Sequence, residues 1–563
     1  MGVNASSCCE NREGQVPAEV VGAVRYSEEK EDKDDLESFP SQNSHLSQHT
    51  VWPSFGSEHD LPIVIPRRSS RRSKHSSLSS ELEMVVASMS SDLPMVQRAI
   101  TFQVEEALAR GIPVASTLRD FGYLWKTSPL ELEEDSRTNL WSKAQPVRSF
   151  DVFFSHTWRT PGRRKVLSLL FQYGGRTVGV NLFVFVTLVV LLSARGMLPM
   201  VELTWPVNAV GFKASCPFTP WAYLTGTLTT LISLFMSPYC ICTRCSSKAF
   251  LDVVSIHQTD KTMKQRGVYG LGGFLSISQE MRVLWSAPYL TRLWCVFELA
   301  AFRKANPSRP LNLKPLFVES QVLLLMLTSG LCCGAYIAVR TGHGIIVLAN
   351  LAMAPFLILA HTNRKFMREE KQLTESLENF DVKDAECHLE ADRAFVSLAI
   401  ASWYGSEEAF NEYVRGPLRR ELLAASGLDL PMSYALLIAV SPFCMAIDVV
   451  VSMIVAGAPV DAVLAAFISL GLGVTLFWSM FCVKVMWSLC SRWSSPGATR
   501  VSDLSVSLLI FLITILLMAA GSGAVNYLMS VSLVGAMVVG VLSAVFTCAA
   551  YGCVQHFSVT DVR

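Results

Sequence analysis

The chain has 563 residues, of which 51% are hydrophobic and only 17% are charged. Its mean hydropathy of +0.35 is too high for an ordinary water-soluble protein and predicts several membrane spans. The formal net charge of +1 provides no bulk basic surface, so nothing favours a nucleic-acid partner. The 15 cysteines lie mostly in or beside apolar runs, which argues against a secreted disulfide framework.

The first residues carry a lipidation pattern. The opening Met1-Gly-Val-Asn-Ala-Ser6 fits N-myristoylation of Gly2, and Cys8 and Cys9 follow as candidate palmitoylation sites. Because one myristoyl chain holds a membrane only marginally, an acylated cysteine would supply the usual second anchor. Membrane lipid is therefore one expected partner, and the alternative is a chance Met-Gly start.

Two polar segments precede the apolar part of the chain. Residues 1–92 are rich in Ser, Glu, Asp, Lys and Pro and poor in large apolar groups. Such a composition cannot bury enough surface to offset the entropy of ordering, so we predict a disordered tail. Residues 93–145 show mixed helical patterns and predict a helical lead-in.

Eight apolar runs of roughly spanning length follow. They occupy residues 178–192, 221–239, 321–339, 345–359, 433–456, 461–486, 503–521 and 527–551. We interpret them as a first membrane hairpin (178–240), a second hairpin (320–361) and four further spans (431–553). An even number of spans returns the chain to the side that it left, so both termini, including a short tail (554–563), lie on one side.

Basic residues assign that side to the cytosol. The predicted outer loops contain only Arg195, Lys213 and Arg340, whereas the opposite side carries many more Lys and Arg residues. This asymmetry follows the positive-inside rule. We therefore expect an integral membrane protein whose termini and polar segments are cytosolic.

One polar stretch is more informative than the rest, SAPYLTRLWCVFELAAF at residues 286–302. Its apolar residues Leu290, Trp294, Phe297 and Ala301 recur at the three-to-four spacing of a buried helix face. Glu298 lies one turn after Trp294 and beside that face. Its carboxylate is therefore predicted at the rim of a core.

The pattern S-x-x-Y…W-C-x-x-E-L in this stretch resembles the third strand and following helix of Toll/interleukin-1 receptor (TIR) domains, most closely those of plants, bacteria and algae. Residues 149–156 are similar to the first strand of these domains, residues 250–254 to the second and residues 311–317 to the fourth. The order of the four segments carries the resemblance.

The apolar runs and the resemblance together give the expected fold class: a multi-pass α-helical membrane protein with about eight spans, plus a cytosolic α/β flavodoxin-like TIR domain built from discontinuous segments. The first strand and helix are assigned to residues 146–177 and the remainder of the domain to residues 241–319. A cytosolic helical segment, residues 362–430, follows the second hairpin.

Some TIR domains cleave NAD between nicotinamide and ribose, and the position that matches their catalytic glutamate is Glu298. The resemblance implies that Ser155, His156, Trp294 and Cys295 line the substrate pocket. It also implies self-association into a homo-oligomer, with NAD as a substrate and no bound cofactor. The alternatives are structural: Trp294 as core filler, Cys295 as a small buried residue and His156 as a strand-end polar group.

Asp448 is the acidic residue that lies deep inside a predicted span. An ionisable group at bilayer depth is costly and marks a candidate site on an ion or proton path. The alternative is an aspartate that joins two helices by hydrogen bonds.

The expected function is membrane signalling or sensing by TIR self-association, with NAD nucleosidase activity if the domain is an enzyme. Two alternatives remain open, a non-enzymatic membrane scaffold and a channel or transporter with a TIR-like regulatory domain. We predict no metal site, because no thiol or histidine cluster has a full ligand set.

Overall fold

The computed structural model describes residues 93–128, 131–199, 203–241, 246–341, 353–387, 389–425 and 429–552. The N-terminal tail with Gly2, Cys8 and Cys9 and the C-terminal tail lie outside these residues, so the lipidation prediction is not addressed by the structure.

The described residues form a mixed sheet, a separate two-stranded sheet and many helices. The strands are β1 (Arg110–Pro113), β2 (Gln145–Pro146), β3 (Val152–His156), β4 (Leu203–Ala209), β5 (Phe212–Phe218), β6 (Lys248–Phe250), β7 (Met281–Trp285) and β8 (Leu311–Pro315). The first helices are α1 (Leu93–Ile100), α2 (Val114–Leu118), α3 (Tyr123–Lys126), α4 (Glu134–Ser142), α5 (Gly162–Ala194), α6 (Trp221–Cys240), α7 (Asp252–Ser255), α8 (Lys261–Tyr269), α9 (Leu271–Ser276) and α10 (Leu293–Ala305). They are followed by α11 (Val318–Thr341), α12 (Pro355–Glu378), α13 (Glu390–Tyr404), α14 (Glu407–Tyr413), α15 (Arg419–Ala425), α16 (Met432–Val455), α17 (Val460–Arg492), α18 (Arg500–Val531) and α19 (Leu533–Ala550).

The larger sheet has the strand order β2-β1-β6-β3-β7-β8. The four neighbouring strands β6, β3, β7 and β8 run parallel, whereas β1 is antiparallel to β6. Segments that are far apart in the sequence thus become neighbours: Phe153 pairs with Met281, and Val152 pairs with Ala249. In chain order the parallel strands are arranged 2-1-3-4, which is the order of the flavodoxin-like doubly wound sheets.

Two parts of this sheet differ from the sequence expectations. The second predicted strand, residues 250–254, ends at Phe250, because the carbonyl of Leu251 accepts the N–H groups of Val254 and Ser255 and closes a helical turn. The lead-in is not helical throughout, since β1 and β2 extend the sheet from within it. Gly111, in β1, sits against the Ala249 carbonyl with little room for a side chain.

Aromatic packing fixes the centre of the sheet. Phe153 and Phe250 stack with ring centroids 4.4 Å apart. Phe150 packs edge-on against both Phe250 and Phe274, and Phe274 lies tilted against Phe250. All four side chains are almost fully buried. Burying one phenylalanine contributes roughly 1.5–3 kcal/mol, so this cluster is a major part of what holds the sheet together. Because the central strands β3 and β7 are covered on both faces, they form nearly continuous apolar runs in the sequence.

Six described helices are long and apolar enough to cross a membrane: α5, α11, α16, α17, α18 and α19. Many of their large apolar side chains are exposed, such as Phe183 on α5, Leu516 on α18 and Val541 on α19. Such a continuous apolar surface is rare on a protein in water. The chain is thus mostly helical, and these helices are compatible with an integral membrane protein.

Two of the eight predicted spans are not among these six helices. One is α6, a 20-residue helix that packs along α5 and is less apolar because of its Thr and Ser residues. Gly174 of α5 lies against Ser237, and Gly226 of α6 lies against Cys444 of α16, so small residues bring the helices close. The other predicted run, residues 345–359, falls largely outside the described residues.

An antiparallel hairpin, β4–β5, joins α5 to α6 at the end far from the larger sheet. Val210 and Gly211 both have positive φ, as a tight two-residue hairpin turn requires. The inward residues Trp205 and Phe218 pack on the ends of the apolar helices, together with Met453. From the sequence we predict only an outer loop here, and the hairpin is the difference.

Candidate active site

A cavity lies where β3 and β6 end and α10 begins. Its lining includes His156, just at the end of β3, Asp252, two residues after β6, and Trp294 and Glu298 of α10. In a doubly wound sheet, ligands bind outside the carboxyl ends of the strands, where connections leave to opposite faces. β3 is at that position here, because its neighbours β6 and β7 lie on either side of it.

Glu298 is held from the end of β3. The Ser155 hydroxyl donates a hydrogen bond to the Glu298 carboxylate. Since that hydroxyl proton is used, the buried Tyr289 hydroxyl donates in turn to the Ser155 oxygen. Although Glu298 keeps some contact with solvent, burial by the surrounding protein raises its pKa to about 8. The carboxyl group is therefore mostly protonated at neutral pH.

On the other side of the strand end, His156 belongs to a buried polar network. The Lys165 amine, fully buried in the first turn of α5, lies 3.2 Å from His156 Nδ1. The other ring nitrogen, Nε2, faces Asp252 Oδ1 at 3.4 Å. Burial and the Lys165 charge lower the pKa of His156, so it is neutral.

Asp252 is the second carboxylate of the cavity. Its Oδ2 accepts a hydrogen bond from Trp158 Nε1 at 2.8 Å, and its Oδ1 accepts from the Val253 backbone at 2.7 Å. Burial alone would raise its pKa, but His156 and these hydrogen bonds outweigh burial and hold the pKa below its usual value. Asp252 is therefore ionised at neutral pH.

Trp294 and Cys295 occupy the start of α10. The Trp294 indole donates to Asp392 of α13 at 3.1 Å and packs against Phe395. The Cys295 thiol contacts the His156 carbonyl, and burial raises its pKa well above the usual value. Cys295 is therefore a neutral packing residue and is not poised as a nucleophile.

A segment beyond the sheet closes the mouth of the cavity. The Glu386 backbone accepts from Leu293 N at 3.2 Å and donates to the Thr291 carbonyl at 2.7 Å. Its side chain pairs with Arg159 and Arg292. Residues 386 and 387 thus line the cavity together with the sheet residues.

The cavity volume is about 150 Å³, below the roughly 300–1,000 Å³ of pockets that enclose whole drug-sized ligands. It can enclose only a small ligand or one end of a larger one. Its lining combines the acidic Asp252, Glu298, Glu386 and Asp392 and the basic Lys264 and Arg292 with the indoles of Trp158 and Trp294. Carboxylates and aromatic faces both favour a cationic ring.

The structure brings Ser155, His156, Trp294, Cys295 and Glu298 together at one place, although the first two are some 140 residues from the others. Sequence reasoning missed Lys165, Trp158, Asp252 and Asp392. Of these four residues, only Asp252 had a signal in the sequence. It follows a short apolar strand, in the same way that Ser155 and His156 lie at the end of another strand. Among the described residues, no group of three or more His, Cys, Asp or Glu is placed to hold a metal.

Asp448 lies away from this cavity, buried between α16 and α6. Its two carboxylate oxygens accept the backbone N–H groups of Ala222 and Tyr223 at 2.7 and 2.8 Å. These N–H groups belong to the first turn of α6, which has no partner for them within its own helix. Asp448 thus caps a neighbouring helix.

Comparisons with known protein families, with characterised proteins and with solved structures found no match to this chain.

Proposed function

We propose that this protein is an integral membrane signalling protein whose cytosolic TIR-like domain cleaves NAD at the bond between nicotinamide and ribose. The observation that carries the proposal is the position of Glu298, which faces a cavity at the carboxyl ends of parallel strands and is hydrogen-bonded to Ser155. His156, Trp294 and Cys295 border the same cavity.

The reaction mainly requires a negative charge that is positioned beside the ribose. Nicotinamide is already a cationic leaving group, and its departure leaves an oxocarbenium-like ribose. Glu298 accepts hydrogen bonds from the ribose hydroxyls and, once ionised, stabilises the positive charge on the sugar. The cationic ring lowers the pKa of Glu298 as it enters, because an opposite charge favours the ionised form. The small cavity takes the nicotinamide-ribose end, and the rest of NAD lies outside it.

The membrane assignment rests on the six apolar helices and on the distribution of basic residues. Lys213 lies on β5 of the far hairpin, whereas Arg163, Arg164 and Lys165 lie at the opposite end of α5. By the positive-inside rule the end that carries the larger sheet is cytosolic. Acylation of Gly2 with Cys8 or Cys9 would anchor the N-terminus on the same side.

The test is nicotinamide release by the purified full-length chain in detergent or lipid discs. Glu298→Gln keeps the size and the acceptor oxygen but removes the charge, and we expect activity to fall by 100-fold or more, as for loss of a transition-state electrostatic partner. Glu280→Gln is the matched control, since Glu280 pairs with Arg282 at the opposite end of β7. Equal activity of Glu298→Gln and wild type would remove Glu298 from the mechanism.

No nicotinamide release by the wild-type chain would instead favour the non-enzymatic scaffold. Self-association is tested on the same sample by light scattering, where a monomer would contradict it. We do not propose transport through Asp448, because both of its carboxylate oxygens are engaged by backbone N–H groups.

A further inference from the structure

A second carboxylate faces the proposed reaction site from the other side of the strand end. Successive side chains of a strand point to opposite faces, and here Ser155 holds Glu298 on one side of β3 while His156 faces Asp252 on the other. Both carboxyl groups line the same cavity. Two carboxylates that flank a sugar allow one to stabilise the ribose while the other acts on water.

We propose that Asp252 is a catalytic residue of the same reaction, the general base that removes a proton from the water attacking ribose C1′, and that Lys165 and His156 position it. This proposal rests on the proposed NAD cleavage and assigns the step that follows it.

The surroundings of Asp252 suit a base rather than a structural anchor. Of its contacts, the Trp158 indole and the Val253 N–H fix its orientation, and 28% of its side chain remains exposed. Behind it, Lys165 Nζ contacts His156 Nδ1, and His156 Nε2 faces Asp252 Oδ1.

The C1′–N1 bond of NAD breaks and its electron pair goes to the nicotinamide nitrogen, which becomes neutral. The oxygen of water forms a bond to C1′, and one water proton passes to Asp252 and then to solvent. The products are nicotinamide, ADP-ribose and a proton.

Two competing fates of the same intermediate separate the roles of the two carboxylates. Water must lose a proton to yield a stable product, whereas an incoming nicotinamide has no proton on its ring nitrogen to lose. Exchange of labelled nicotinamide into NAD therefore needs Glu298 but not Asp252. General base catalysis typically contributes 10²–10⁴-fold, so the ratio of exchange to hydrolysis reports directly on Asp252.

The experiment measures ADP-ribose formation and incorporation of isotopically labelled nicotinamide into NAD by the full-length chain. For Asp252→Asn we expect hydrolysis to fall by about 100-fold or more while exchange persists. Glu298→Gln should lose both reactions together. Glu280→Gln removes a charge at the opposite end of β7, away from the cavity, so its exchange-to-hydrolysis ratio should equal that of wild type.

Asp252→Asn protein that keeps the wild-type ratio, or that loses both reactions in proportion, overturns the proposal and leaves the proposed function intact. A wild-type chain with neither reaction overturns the proposed function, and this inference with it. If Asp252→Asn does not give a monodisperse protein, Trp158→Phe is measured instead. It removes one hydrogen bond to Asp252, and an unchanged ratio in that variant overturns the proposal.

Discussion

Glu298 and Asp252 face one cavity, yet their surroundings act on them in opposite directions. Glu298 is desolvated with Ser155 as its hydrogen-bond donor, and its pKa rises to about 8. Asp252 is also desolvated, but its donors and His156 hold its pKa low. Pairs of carboxyl groups whose pKa values are separated by their environment are typical of sites that perform acid–base chemistry.

The raised pKa of Glu298 predicts the pH dependence of catalysis. The value of kcat/KM reports ionisations of the free enzyme, and the ionised Glu298 is the form that stabilises the ribose cation. We therefore expect kcat/KM for NAD to rise with pH up to about 8 and to level off above it. A profile that is flat between pH 6 and pH 9 would contradict this assignment.

The same group predicts how stability changes with pH. Glu298 has an ordinary pKa of 4.5 when unfolded and about 8 when folded. Between these values the folded state binds a proton that the unfolded state has lost, so stability falls as pH rises through this window, by at most about 1.4 kcal/mol per unit. The thermal midpoint of Glu298→Gln, compared with wild type, should therefore be relatively higher at pH 8 than at pH 5. An equal difference at both values would show that Glu298 is ionised in the folded state.

Among single residues, the sequence predicted the site residues that belong to one local motif. Glu298, Trp294 and Cys295 follow one another on one helix, and the resemblance placed them. Asp252 and Asp392 were missed, because each acts through a partner about one hundred residues away, Trp158 for one and Trp294 for the other. Such pairings depend on chain folding, and no spacing in the sequence encodes them.

Among the elements, α6 depends on a residue of another helix. Its first turn presents N–H groups that its own chain cannot satisfy, and Asp448 on α16 accepts two of them. The positive end of the α6 dipole lies against the same carboxylate. The contact therefore fixes the depth of α6 relative to α16.

Replacing this aspartate predicts a graded loss of stability. Asp448→Ala leaves two buried N–H groups without acceptors, and we expect a cost of about 1–3 kcal/mol. Asp448→Asn keeps one amide oxygen and should cost less. Thermal unfolding in detergent measures both, with the exposed Asp461→Ala as a control that should change little. Equal midpoints for Asp448→Ala and wild type would mean that this cap does not stabilise the bundle.

The strands show why elements were only partly predictable. β3 and β7 are mostly apolar runs that are buried on both faces, and the sequence reveals such runs directly. β1 is four residues long and contains Gly111 and Pro113, so it has no strand signal of its own and forms because β6 offers an open edge. The far hairpin was missed because its alternating pattern lies in a segment that was assigned to a loop.

For the whole molecule, the arrangement predicts that its two ends face opposite sides of the membrane. A short epitope inserted after Gly211 lies at the exposed turn of the β4–β5 hairpin, and one inserted after Ser308 lies in the exposed turn between α10 and β8. Loop tips of this kind tolerate insertions. We expect antibodies to reach the Ser308 tag from the cytosolic side alone and the Gly211 tag from the other side alone.

The measurement is antibody access to each tag in cells whose membranes have been selectively permeabilised. Retained NAD cleavage, or an unchanged elution volume, shows that the insertion has not disturbed the fold. Access to both tags from the same side would contradict the proposed orientation.

One rod connects the two ends of the molecule. Helix α5 runs without a break for 33 residues, roughly 50 Å at 1.5 Å per residue, from the amine beneath His156 to the outer hairpin. A change in bilayer thickness that alters the tilt of its apolar part also moves its first turn, which carries Lys165. The thickness of the bilayer is therefore coupled through one helix to the position of Lys165 beside His156.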